Sequence, residues 1–193
     1  MSQSPQIFFV YHPHYITFTA LKWRRYRALT RQLDEWLLPE DGRLTPEHQA
    51  AVDEWCAEGV ATVLFSALSL EAMGWHICVE WFGEEKASRS YERIGPAKRW
   101  ISALSEKFNK TIPESDEAYV MLFELFKIRN SLVHRRSFEA TVSTNIPNSL
   151  AYQPDWAEIA ISALRSVPAA ALSITGVCGF QHEVEMIERL LAE

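Results

Sequence analysis

Arg129, Asn130 and His134 stand within one short run, Phe126-Lys127-Ile128-Arg129-Asn130-Ser131-Leu132-Val133-His134-Arg135-Arg136. A guanidinium offers a rigid fork of donors that matches the oxygens of a phosphate. An imidazole titrates near neutrality and can take or give a proton. A carboxamide can orient either. Together these groups suit attack on an RNA phosphodiester, where the substrate's own 2′-hydroxyl is the nucleophile. The protein must then deprotonate that hydroxyl, protonate the leaving 5′-oxygen and stabilise charge on the phosphorane. Neither role requires a metal or another cofactor. Lys127, Arg135 and Arg136 add local positive charge for the flanking backbone.

The element that must position these groups is the apolar, aromatic-rich segment from Ala118 to Ile128, which reads as a buried helix. Around a continuous helix Arg129 and His134 lie about 140° apart. Arg129 falls in line with Ala118, Leu122, Leu125 and Leu132, while His134 falls on the side of Asn130 and the aromatic row Tyr119, Phe123, Phe126. One straight helix therefore does not aim both groups at one phosphate. Either the helix bends at Asn130-Ser131, with Ser131 in a supporting place, or a second protomer completes the site. A second element enters through Glu71. It falls on the stripe Val60, Leu64, Ala67, Leu68, Trp75, Val79 and Phe82 of an earlier helix. A carboxylate on an apolar stripe is costly unless it is paired, and Arg129 is the best candidate partner.

An Arg-Asn pair followed four residues later by a histidine resembles the motif of the HEPN superfamily of all-α domains, many of them RNases. The segment Ser69-Leu70-Glu71-Ala72 resembles the acid-bearing helix that precedes the motif helix in those domains. The likeness covers roughly residues 61–136. It implies a homodimer whose two motifs meet in a cleft, an RNA substrate, and a toxin or phage-defence effector with an antitoxin or partner protein. One departure is visible: HEPN toxins with nucleotidyltransferase antitoxins often carry a tyrosine two residues after the histidine, and Arg136 stands there. The alternative is a non-catalytic HEPN-like scaffold that binds RNA, nucleotide or protein, with Arg129 tied to Glu71 and His134 merely packed.

Elsewhere the chain reads as helices. Residues 1–14 form an extension, apolar without helical period at Ile7 to Tyr11 and carrying the pair His12 and His14, which more plainly suits surface histidines than a metal site. A first helix is expected over about Tyr15–Leu38, with Leu21, Leu29, Leu33, Trp36 and Leu37 inward. Its cations Lys22, Arg24, Arg25, Arg27 and Arg31 form a solvated face. Alternatively they form a contact for RNA in which Arg24 and Arg25 hold phosphates and Trp23 and Tyr26 stack on bases. Thr45-Pro46-Glu47 opens a long helix to Phe82, with a bend near Gly59. A charged loop over Gly83–Gly95, a helix from Pro96 to Asn109 and a helix capped by Ser115-Asp116-Glu117 follow. Residues 138–154 form a polar loop, and a last helical segment from Asp155 is broken or kinked at Pro168 and the Gly176/Gly179 pair.

The 193 residues fit one all-α domain of about five principal helices, residues 1–193. A net charge of −6 argues against a surface that coats a polyanion but leaves room for a local basic site. Cys56, Cys78 and Cys178 are odd in number and lack metal-site spacing, which suggests free thiols in a reducing compartment. With no signal sequence and no span-length apolar stretch read from the sequence, a cytoplasmic protein without a membrane partner is expected.

Overall fold

The computed structural model describes residues 12–36, 44–133, 155–176 and 178–192. Among these residues the chain is all-α: α1 (His12–Glu35), α2 (Pro46–Phe82), α3 (Glu84–Tyr91), α4 (Pro96–Phe108), α5 (Glu117–Val133), α6 (Asp155–Thr175) and α7 (Cys178–Ala192). The all-α class was legible in the sequence. The further helices arise where the expected charged loop contains α3 and where the last segment divides into α6 and α7.

The central element is α2, which packs against α1, α3, α4, α5 and α6. Thr45 caps it, its hydroxyl accepting a hydrogen bond from the His48 amide at 3.2 Å, and Pro46 occupies the first turn. The helix runs unbroken past Gly59. Its buried face differs from the expected stripe. Val63, Ala67, Leu70, Met73, Ile77 and Cys78 are buried, whereas Val60, Leu64, Leu68, Trp75, Val79 and Phe82 are half-buried. The face is rotated by roughly a third of a turn from the stripe of bulky residues. Small residues explain this. Gly59, Thr62, Ser66, Ser69 and Gly74 lie inward and let neighbouring helices approach closely. Thr62 and Ser69 donate their hydroxyls to the carbonyls of Glu58 (2.8 Å) and Phe65 (2.7 Å), so their polarity is satisfied within the helix.

Gly74 has a specific role. A Cβ there would lie 2.7 Å from Nε1 of Trp100. The fully buried Trp100 of α4 lies directly on the α2 backbone and donates its indole N–H to the Leu70 carbonyl at 2.8 Å.

Antiparallel to α2 runs α1, with Ile16, Ala20, Trp23, Tyr26 and Leu29 buried. It begins at His12, so the end of the expected extension is helical, and proline is tolerated in a first turn. Leu21, expected inward, is exposed. Trp23, Tyr26 and Trp55 stack in series at centroid distances of 5.7 and 5.4 Å. Leu37, the turn at 39–42, residues 1–11 and the loop at 138–154 lie outside the described residues.

The short α3 turns Ala87 and Tyr91 inward, one turn apart, while Glu85 and Arg89 pair on its outer side at 2.7 Å. Its charge content suggested a loop; an i, i+4 apolar pair is enough to seat it. Glu106 of α4 accepts from Lys86 and from the Tyr91 hydroxyl, and these bonds hold its carboxyl below the usual carboxylate range. Burial first, and then Glu106, push the Tyr91 phenol well above its ordinary value.

Pro168 is buried inside α6 and does not break it. The break comes at Gly176, whose φ of 63° suits glycine. Both α2 and α6 contain eighteen-residue windows of mean hydropathy 1.4 and 1.3, apolar enough to cross a membrane, which departs from the sequence expectation. In this fold they pack on each other in the core. Cys56 is half-buried and Cys78 buried; burial raises both thiols above their ordinary value, Cys78 to about 11. The Cys178 side chain lies outside the described residues.

Candidate functional site

The base of the site is α5. Asp116 caps it, its carboxylate accepting from the Ala118 amide at 3.1 Å. Ala118, Leu122 and Leu125 are buried on one line, and Arg129 is the next position on it. The line reaches the surface there, so the Arg129 stem follows the core edge while its head stays accessible, with 27% of the side chain exposed.

Two groups hold that head. Glu71, one-third exposed on α2, places Oε2 3.8 Å from Arg129 Nη2. Asn130 accepts from Arg129 Nη1 at 3.0 Å. The pairing expected from the sequence is therefore present, though half-buried rather than deeply buried. One point of the fork is hydrogen-bonded and a second faces a carboxylate at ion-pair distance, and the guanidinium stays at the surface where an anion can reach it.

The remaining expected residues separate. Ser131 donates to the Ile128 carbonyl at 2.7 Å, so its hydroxyl proton is spent on its own helix. Lys127 is exposed and pairs with Glu124 at 3.1 Å. His134, Arg135 and Arg136 lie outside the described residues, immediately beyond the last residue of α5.

On α1, Arg25 pairs with Glu54 at 2.6 Å and Lys22 with Glu58 at 3.0 Å. Arg24 is half-buried and donates to the Ala20 carbonyl at 3.3 Å. Trp23 and Tyr26 are buried, so they do not offer faces for base stacking. That part of the RNA-contact reading is corrected: the aromatic residues between the cations are the ones that seat α1 on α2. The pairs to Glu54 and Glu58 are those of an interhelical charged face.

Sequence reasoning missed Arg99, which is only 7% exposed. Its Nε donates to the Tyr91 carbonyl at 3.2 Å, at the end of α3, and its guanidinium lies 5.3 Å from the centre of the Trp75 ring. Only tertiary packing reveals this, since Lys98 and Arg99 look alike in sequence. His76 is half-exposed, with Nε2 3.4 Å from Glu80 one turn on. Among the described residues no group of three His, Cys, Asp or Glu side chains converges as metal ligands would.

Comparison with protein-family models, curated proteins and solved structures gives no match.

Proposed function

We propose that this chain is a HEPN-type endoribonuclease, acting in the cytoplasm as a homodimer without need of a metal, in the manner of a toxin or phage-defence effector. The supporting observation is the holding of Arg129 between Glu71 and Asn130 at the surface end of α5, a few residues ahead of His134. An arginine restrained by one hydrogen bond and one longer ion pair, but open to solvent, has part of its rotamer freedom already spent and so loses less on binding a phosphate. In this reading Arg129 stabilises the pentacoordinate phosphate, Asn130 orients Arg129, and His134 moves the proton between the 2′-hydroxyl and the 5′-oxygen. Lys127, Arg135 and Arg136 hold the flanking backbone. The products are a 2′,3′-cyclic phosphate and a 5′-hydroxyl, because the nucleophile belongs to the substrate. In this reading the dimer interface lies close to Arg129, Asn130 and His134, and the two-fold brings His134 of each protomer toward one cleft.

The test is incubation of the purified protein with a mixed RNA pool in EDTA, wild type against His134→Ala. Cleavage should survive the chelator, leave cyclic phosphate ends and fall ~10²–10⁴-fold in the variant, the usual worth of a positioned acid–base group. Equal cutting by the variant places the activity elsewhere. No cutting by wild type replaces this reading with a HEPN-like scaffold that binds RNA, nucleotide or protein without turnover.

A further inference from the structure

Only 7% of Arg99 is exposed. A charge at that depth ordinarily has an opposite charge beside it. No carboxylate stands within ion-pair distance of Arg99 among the described residues. Glu106 is engaged by Lys86 and by the Tyr91 hydroxyl, and Glu71 faces Arg129. Of the guanidinium donors one is used, Nε to the Tyr91 carbonyl. The two Nη atoms make no hydrogen bond among the described residues, and neither is sealed from solvent. The Trp75 ring, 5.3 Å from the guanidinium, supports it from α2.

The start of α4 has the same surplus of donors. Gly95 stands at the N-cap and offers no side chain, and Pro96 follows it. The Arg99 amide bonds back to the Gly95 carbonyl at 2.9 Å, while the Ala97 and Lys98 amides have no acceptor among the described residues. Helical side chains lean toward their own N-terminus. Tyr91, which receives Nε, ends α3 just before the turn that leads into α4. The head of Arg99 therefore lies at the amide end of its helix. In the same stretch the exposed Arg93 and Lys98 outweigh the exposed Glu92. The Tyr91 carbonyl brings only the partial negative end of α3, about half a charge, against a full guanidinium.

The geometry points to a binding site at the start of α4 for a terminal phosphate group, free or esterified at one oxygen, held by the Nη donors of Arg99 and the amides of Ala97 and Lys98. A helix N-terminus favours an anion, and a guanidinium fork takes two phosphate oxygens at once. A terminal phosphate has a third free oxygen for the amides and carries up to two charges. A diester has two free oxygens and one charge, so it leaves donors unmet. The site is separate from the one proposed for catalysis. Trp75 lies one turn beyond Glu71, so Arg99 and Arg129 flank successive turns of α2.

The probes are inorganic phosphate, methyl phosphate and dimethyl phosphate, titrated calorimetrically into the full-length protein at constant ionic strength. Inorganic phosphate should bind at millimolar concentration, at least about tenfold more tightly than dimethyl phosphate. Equal binding of methyl phosphate assigns an esterified ligand; binding of inorganic phosphate alone assigns the free ion. Arg99→Gln should abolish binding. Because Arg99 is buried, the exposed Lys98→Glu gives a second readout that does not risk the fold. An acid in the first turn suits the helix dipole, so the melting temperature should not fall, while phosphate affinity drops about tenfold. Arg129→Met should bind phosphate as the wild type does. No heat with millimolar phosphate, equal affinity for dimethyl phosphate, or undiminished binding by Lys98→Glu overturns the proposal. Loss of binding in Arg129→Met also overturns it, since the anion would then sit at the proposed catalytic site.

Discussion

Replacing Glu71 by Gln, Arg129 by Met, and both together gives a thermodynamic cycle on the contact by which the proposed site on α5 meets α2. The magnitude follows from the geometry. At 3.8 Å the attraction between unit charges is about 1 kcal/mol with the dielectric of water and about 4 kcal/mol at an effective dielectric near 20. Exposure of 27% for Arg129 and 34% for Glu71 places the pair between these limits. Partial desolvation and the ordering of two long side chains oppose the attraction. The Asn130 bond already orders the arginine, which lowers the second cost. The expected coupling is about 1 kcal/mol, well below the ~3–5 kcal/mol lost when one partner of a fully buried pair is removed. Urea unfolding followed by far-UV circular dichroism measures it for all four proteins. In ~1 M salt, where the screening length is about 3 Å, the coupling should fall. A coupling under ~0.3 kcal/mol would mean that Glu71 does not hold Arg129. One above ~3 kcal/mol would mean that the pair is sealed from water and closed to any phosphate.

Gly74→Ala should destabilise the fold by about 1–3 kcal/mol in chemical denaturation, because displacing the Trp100 indole outweighs the ~1 kcal/mol that alanine gains in helix propensity; a stabilised variant would contradict the close approach of Trp100 to α2. Glu106 has a folded-state pKa below its unfolded value, so its contribution to stability is present above the usual carboxylate range and lost as pH falls through the lowered value. The stability gap between wild type and Glu106→Gln should therefore be full at neutral pH and close on acidification, and a gap that widened in acid would reverse the sign of the argument.

Local signals carried much of the fold into the sequence. The hydroxyl, proline and acid at Thr45-Pro46-Glu47 act within one turn, and α2 starts there. Asp116 likewise caps α5, and Gly176 ends α6 through its own backbone conformation. What the sequence hid depended on neighbours. The inward face of α2 is built from Thr62, Ser66, Ser69 and Gly74, which score as polar or neutral in any apolar pattern yet let Trp100 and α6 come close. Trp23 and Tyr26 sit among cations and looked available; burial against α2 took them. The loop expected at Gly83–Gly95 was a helix because Ala87 and Tyr91 face the core on one side of a charged segment.

The same distinction bears on the site. Glu71 was singled out because a carboxylate stood on a stripe of bulky apolar residues, but that stripe is the half-buried edge of α2 and not its core face. The pairing with Arg129 was nevertheless legible, since it required only that the two residues share a boundary between helices. A rotation of α2 that had placed Glu71 in the deep core would have demanded complete pairing and closed Arg129 to ligands. A rotation the other way would have left both groups in water with nothing to fix the guanidinium. The small residues that turn Val63, Leu70 and Ile77 inward therefore also set Glu71 at an intermediate depth. At that depth an arginine can be both held and reachable, which any role for Arg129 at a phosphate requires.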